Sequence, residues 1–136
     1  MIRLLALAAV LHALAACSRL DACRNPKVEG TYDAGVHSDV VMVALQPGGV
    51  GNIQFADGLA TPLRWEFEPE GPQALLTGDT QTMEKLRTLA HGKPPPPDAA
   101  PTQRTIVAVG LNCERTGRVT ELIVGVDDPL ILTRSK

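Results

Sequence analysis

Hydrophobic and polar positions alternate along most of this chain, and the period changes only twice. Leu63, Trp65 and Phe67 alternate with Arg64, Glu66 and Glu68, the clearest period of two. Such alternation places one set toward a core and the other toward water. Similar β segments are read at 28–33, 38–45, 50–56, 59–68, 73–77, 103–112, 118–126 and 130–134. Ile53 and Phe55 share a face, as do Val107, Val109 and Leu111, and Leu122, Val124 and Val126. Turn residues separate the segments: Pro47-Gly48-Gly49, Asp57-Gly58, Glu70-Gly71-Pro72, Glu114 to Gly117, and Asp127-Asp128-Pro129. Proline presets one turn dihedral and glycine accepts positive φ, so these stretches favour tight hairpins.

The period shifts to a helical one between Asp79 and His91. Met83, Leu86, Leu89 and Ala90 fall on one helical face, Asp79 or Thr80 can cap the start, and Gly92 can stop it. Lys93 to Pro101 then carries Pro94-Pro95-Pro96-Pro97, a stiff extended connector. The expected fold is mainly β: a small antiparallel β-barrel of seven to eight strands with one short helix, a β-sandwich being the alternative. Closing the sheet removes the unpaired edges of such strands. With only 3% aromatic residues, Val, Leu and Ile must fill the interior, so a packed, narrow core is expected.

The second change of period is at the start. Leu4 to Leu14 is apolar except for His12, and Arg3 precedes it. About 11 residues of helix reach only about 16 Å, short of the ~20 apolar residues that a bilayer demands. A positive start, an apolar run and small residues before a cut make a secretory signal. Leu14-Ala15-Ala16-Cys17 closes the run. This resembles the lipobox of bacterial lipoproteins. The resemblance implies cleavage after residue 16, a lipid on Cys17 (a diacylglyceryl thioether, with a further fatty acyl group such as palmitate on the amine), and a membrane anchor. Ser18 rather than Asp after the cysteine resembles the sorting pattern for the outer membrane over the inner one, with the protein facing the periplasm. The expected organisation is a signal peptide at 1–16, a lipidated tether at 17–27, and one β-rich domain at 28–136 whose helix and proline-rich loop span 79–101.

Export changes the reading of the three cysteines. Lipidation consumes Cys17, which leaves Cys23 and Cys113 as a pair in an oxidising compartment, and a disulfide is expected. Losing Arg3 takes the 13 basic residues to 12 against 15 acids, a mature side-chain charge of −3. Nucleic acid is therefore not expected as a partner. Arg19, Arg24 and Lys27 gather near the expected anchor, where they could touch anionic headgroups, but Asp21 interrupts them and a solvated tether is the expected reading.

Gly30-Thr31-Tyr32, Leu45 to Gly49 and Leu63-Arg64-Trp65 resemble the layout of small lipocalin-like envelope lipoproteins of the NlpE N-terminal type, over residues 30–78. The resemblance implies a small barrel on a lipid tether. That group carries a CxxC motif and this chain does not, so copper or thiol sensing does not carry over.

No catalytic set stands out. The mature serines are Ser18, Ser38 and Ser135, and the mature histidines are His37 and His91. His37 and Ser38 are neighbours and would point to opposite faces of a strand. Glu66 and Glu68 back onto the apolar face and are expected in water. Asp127 and Asp128 are turn residues. Asp33, His37 and Asp39 are the candidate metal donors, set against ordinary loop solvation. No cofactor is expected. The leading expectation is a non-enzymatic lipoprotein that acts as an interaction or accessory module, its partners the membrane and an envelope protein. The alternatives are a lipocalin-like carrier of a small ligand or metal, and an inhibitor of a periplasmic hydrolase presenting Pro94 to Pro97.

Overall fold

The computed structural model describes residues 23–35, 39–58, 60–91, 98, 105–125 and 128–135. The expected signal peptide at 1–16, Cys17, the expected tether to residue 22, His37 with Ser38, Pro94 to Pro97, Val126 and Asp127 all lie outside them. Eight strands run in order: β1 (Gly30–Asp33), β2 (Val40–Gln46), β3 (Val50–Phe55), β4 (Ala60–Glu68), β5 (Gln73–Thr77), β6 (Ile106–Cys113), β7 (Val119–Val124) and β8 (Leu130–Arg134). Among the described residues, one helix, α1 (Thr80–His91), lies between β5 and β6.

Each strand pairs antiparallel with the next, and β1 pairs with β8 through Tyr32 opposite Arg134 and Asp33 opposite Thr133. The sheet is a closed barrel, not a sandwich. Closure leaves no strand edge open for another chain. The turns are those that the glycines announce. Gly48 and Gly49 both hold positive φ (87° and 75°) between β2 and β3, a conformation that only glycine adopts cheaply.

All eight strands feed the interior. Tyr32, Val43, Ile53, Leu76, Val109, Leu122 and Leu132 are wholly buried, and Phe55 is nearly so. The expected alternation holds in β3, β5 and β6. It weakens in β4, where Leu63 is buried but Trp65 and Phe67, expected inward, are only half-buried. The reason is position: they lie toward one end of the barrel, and the Trp65 indole reaches the β2–β3 turn. Its Nε1 donates to the carbonyls of Gln46 (2.9 Å) and Val50 (3.0 Å). The packed chain also begins earlier than Val28. Cys23 is buried, and Lys27 bridges Arg118. Among the described residues, no helix is long and apolar enough to cross a membrane.

Candidate functional site

Antiparallel order gives the barrel two distinct ends. The chain enters β1 at one end, which also carries the β2–β3, β4–β5 and β6–β7 turns. The other end carries the β1–β2 and β3–β4 connections, α1 and the β7–β8 turn.

The entry end is sealed by the N-terminal segment and the last strand. Lys27 donates its N–H to Gly117 (2.7 Å), and its carbonyl accepts from Val119 N–H (3.4 Å). Cys23 and Cys113 lie at disulfide distance, Sγ to Sγ 1.96 Å and Cα to Cα 5.5 Å, 90 residues apart in sequence. Arg134 knits the closure. Its guanidinium donates to the carbonyls of Glu29 (2.8 Å), Lys27 (2.7 Å) and Val119, and to the Tyr32 hydroxyl (2.9 Å). It also lies 5.1 Å from the centroid of the Tyr32 ring. The Tyr32 hydroxyl in turn donates to the Val28 carbonyl (2.6 Å). Burial pushes the Tyr32 phenol up to about 12, although the Arg134 charge pulls the other way.

The helix end is covered by α1. A 12-residue helix is marginal alone in water. This one is fixed by Met83 and Leu86, both wholly buried in the barrel core. Each contributes roughly 1.5–3 kcal/mol through burial. Polar contacts tie α1 to the rim. Lys85 pairs with Asp57 of the β3–β4 turn at 3.1 Å, and its ammonium sits 4.1 Å from the centroid of the Phe55 ring. Arg87 donates to the Ile106 carbonyl.

Asp79 is the N-cap. Its carboxylate accepts from Thr82 N–H (2.9 Å) and Thr82 Oγ1 (2.6 Å). Those hydrogen bonds, the side-chain one first, hold its carboxyl below the usual range. Its pKa is thus lower folded than unfolded, so the cap's contribution is present above the unfolded value near 4 and is lost as pH falls through the folded one. Asp79→Ala should cost about 1 kcal/mol near neutral pH and show a smaller cost in acid. Urea melts at the two pH values check it; an equal cost at both would contradict the assigned cap.

The outer wall carries two open concavities. One, of about 520 Å3, follows β6, where Ala108 and Gly110 leave little side chain between Gln73 on β5 and Ile123 on β7. Pairing places Leu75 beside Ala108, and Ile123 beside both Gly110 and Ile131. The other, of about 400 Å3, lies near the β2–β3 turn beside Arg64 and Glu66.

The remaining sequence candidates are dispersed. Asp33 accepts a hydrogen bond from Ser135, its neighbour across the β1–β8 seam. Asp39 is exposed just before β2. His37, the third member of that trio, lies outside the described residues. No group of three metal-ligating side chains occurs among the described residues. Glu66 is exposed, and Glu68 accepts from Gln73 Nε2 (3.1 Å), so the two do not form a carboxylate pair aimed at one point. Arg134 was not visible as a structural residue, because an arginine near a chain end has no local signature. Lys85 and Asp57 come together only through the fold.

Comparison with family models, with curated proteins and with solved structures finds no match to this chain.

Proposed function

We propose that the protein is a cell-envelope lipoprotein, anchored through a lipid on Cys17, whose barrel is a non-enzymatic interaction or accessory module. The observation that carries the reading is the filled interior. Side chains from all eight strands, together with Cys23, Val28, Met83 and Leu86, occupy one core, so the surfaces left for recognition are on the outside. The outward row of Leu75, Ala108, Ile123 and Ile131 is apolar for an outer wall, with Ile131 44% exposed. The lipobox supports the anchor, and Ser18 supports an outer-membrane, periplasm-facing address.

The test has two arms in intact cells. An alkyne-bearing palmitate analogue should label the parent and not Cys17→Ala; an unlabelled parent would remove the anchor. Photo-crosslinkers at Ala108 and Ile131 should yield a discrete adduct with an envelope protein, and no adduct at either position would count against the module.

A carrier reading draws on one feature, the cover that α1 forms over a barrel end. It requires the melting temperature to rise with an apolar ligand or a metal. Flat melting curves across lipids, haem and metals would remove it.

A further inference from the structure

Four basic side chains far apart in sequence meet at one end of the barrel. Arg24 and Lys27 belong to the entry segment, and Arg115 and Arg118 to the β6–β7 turn. The backbone brings them together: Lys27 and Arg118 form a bridge, Lys27 N–H donates to Gly117, and the pair at Cys23 and Cys113 pins the segment beside β6. All four are exposed. Glu29 and Glu114 share this half of the end, and the half-buried Arg134 guanidinium lies there too, which leaves an excess of three positive charges in a chain that is negative as a whole. The other half carries the uncharged Pro47-Gly48-Gly49 turn and the acidic Glu70.

We propose that this basic half is a docking face for the anionic lipid headgroups of the membrane that anchors the chain. The inference rests on the anchor proposed above, and the length of the tether argues for this occupant. Five residues separate Cys17 from Cys23, and the six steps between them reach about 20 Å at most. The end that carries the four cations is therefore the end held near the headgroups. Opposite charges interact there within about one Debye length, ~8–10 Å at physiological salt. The lipid brings the barrel to the surface, and the basic half orients it. The barrel rests on its entry end, with α1 turned away from the bilayer.

The test uses the unlipidated chain from Ser18 to Lys136. Among the described residues, every member of the core lies between Cys23 and Leu132, so this chain retains the whole barrel. Its success or failure is thus independent of Cys17 labelling, which tests the anchor. Co-sedimentation with vesicles of phosphatidylcholine and phosphatidylglycerol should show binding at ~0.1 M salt that disappears near ~1 M, where the Debye length is about 3 Å. Phosphatidylcholine alone should not bind. A basic residue near an anionic surface is worth about fivefold in partitioning. The double variant Arg115→Glu, Arg118→Glu should therefore bind at least about tenfold more weakly, and Arg24→Glu, on the entry segment, should weaken binding in the same direction. Lys85→Glu, at the helix end, should leave binding unchanged. No binding to anionic vesicles, or an equal loss with Lys85→Glu, would overturn the proposal. So would displacement by inorganic phosphate where chloride of equal ionic strength has no effect, since that marks a discrete anion site and not a membrane face.

Discussion

Removing the cysteine pair should lower the stability of the barrel by roughly 4–5 kcal/mol, the value that the chain-entropy model assigns to a cross-link closing a loop of about 90 residues. The double variant Cys23→Ala, Cys113→Ala avoids a stray thiol and isolates the effect. With a urea slope of about 2 kcal/mol per molar, the midpoint should fall by about 2 M. That is a large share of the ~5–15 kcal/mol that holds an ordinary domain together. The loss should be uneven in space. Cys23 anchors a segment whose other backbone ties to the β6–β7 region are the hydrogen bonds between Lys27, Gly117 and Val119. Amide exchange at Lys27 and Val119 should accelerate in the variant well before exchange in β3 or at Leu86. An unchanged urea midpoint would show that the two cysteines are not joined in the purified protein. Faster exchange everywhere at once would show that the entry segment is not a separately opening unit.

The parts of this fold that could be read from sequence are those whose cause is local. Gln73 to Thr77 and Leu130 to Arg134 match their strands residue for residue, because each short run starts directly after strong turn residues, Glu70-Gly71-Pro72 and Asp127-Asp128-Pro129. The helix was legible from Met83 and Leu86 at helical spacing after a capping Asp79. Strand starts were less legible. The segments expected from 28, 103 and 118 begin at Gly30, Ile106 and Val119. Glu29, Thr105 and Arg118, just ahead of the observed starts, carry no signal that pairing has yet to begin, and pairing is a property of the partner strand. Trp65 shows the same limit. Period two put it inward, but its indole has a polar edge that finds two carbonyls at the β2–β3 turn, and a tryptophan gains by leaving that edge half wet.

The candidate site was less legible still, for a related reason. The cysteine pair could be reached by counting, because the expected lipidation of Cys17 leaves two of three. The basic half of the entry end could not. Arg24 and Lys27 were visible with Arg19 near the expected anchor, but Asp21 interrupts them and they read as a solvated tether. Arg115 and Arg118 lie some ninety residues on, in what reads as an ordinary solvated turn. The bridge between Lys27 and Arg118, the hydrogen bonds beside it and the pair at Cys23 and Cys113 join the two segments. Contacts of such sequence separation carry no periodic signal.

Arg134→Ala should cost about 3 kcal/mol, because it leaves the carbonyls of Glu29, Lys27 and Val119 without a charged donor at a seam of the barrel. Hydrogen bonds to charged groups are worth ~1.5–3 kcal/mol each; partial exposure of this cluster and the freedom of water to replace Arg134 reduce their sum. Arg134→Lys should recover less than half of the loss, since an ammonium on a flexible stem does not reproduce a planar fork with several partners. Tyr32 gives the same closure a pH signature. The unfolded phenol titrates near 10 and the folded one at about 12. The folded state therefore holds the proton more tightly. The contribution of the neutral phenol is fully present below pH 10 and is lost as pH rises toward 12, by roughly 2–3 kcal/mol in all. Tyr32 is the only tyrosine in the chain, so tyrosinate absorbance follows this one group. Urea melts of the parent should weaken between pH 9 and pH 12 by more than those of Tyr32→Phe, and the difference is the phenol's share. Equal slopes in parent and variant would mean that Tyr32 titrates as freely in the barrel as in the unfolded chain. If Arg134→Ala in addition left the midpoint unchanged, the seam would be held by strand pairing alone.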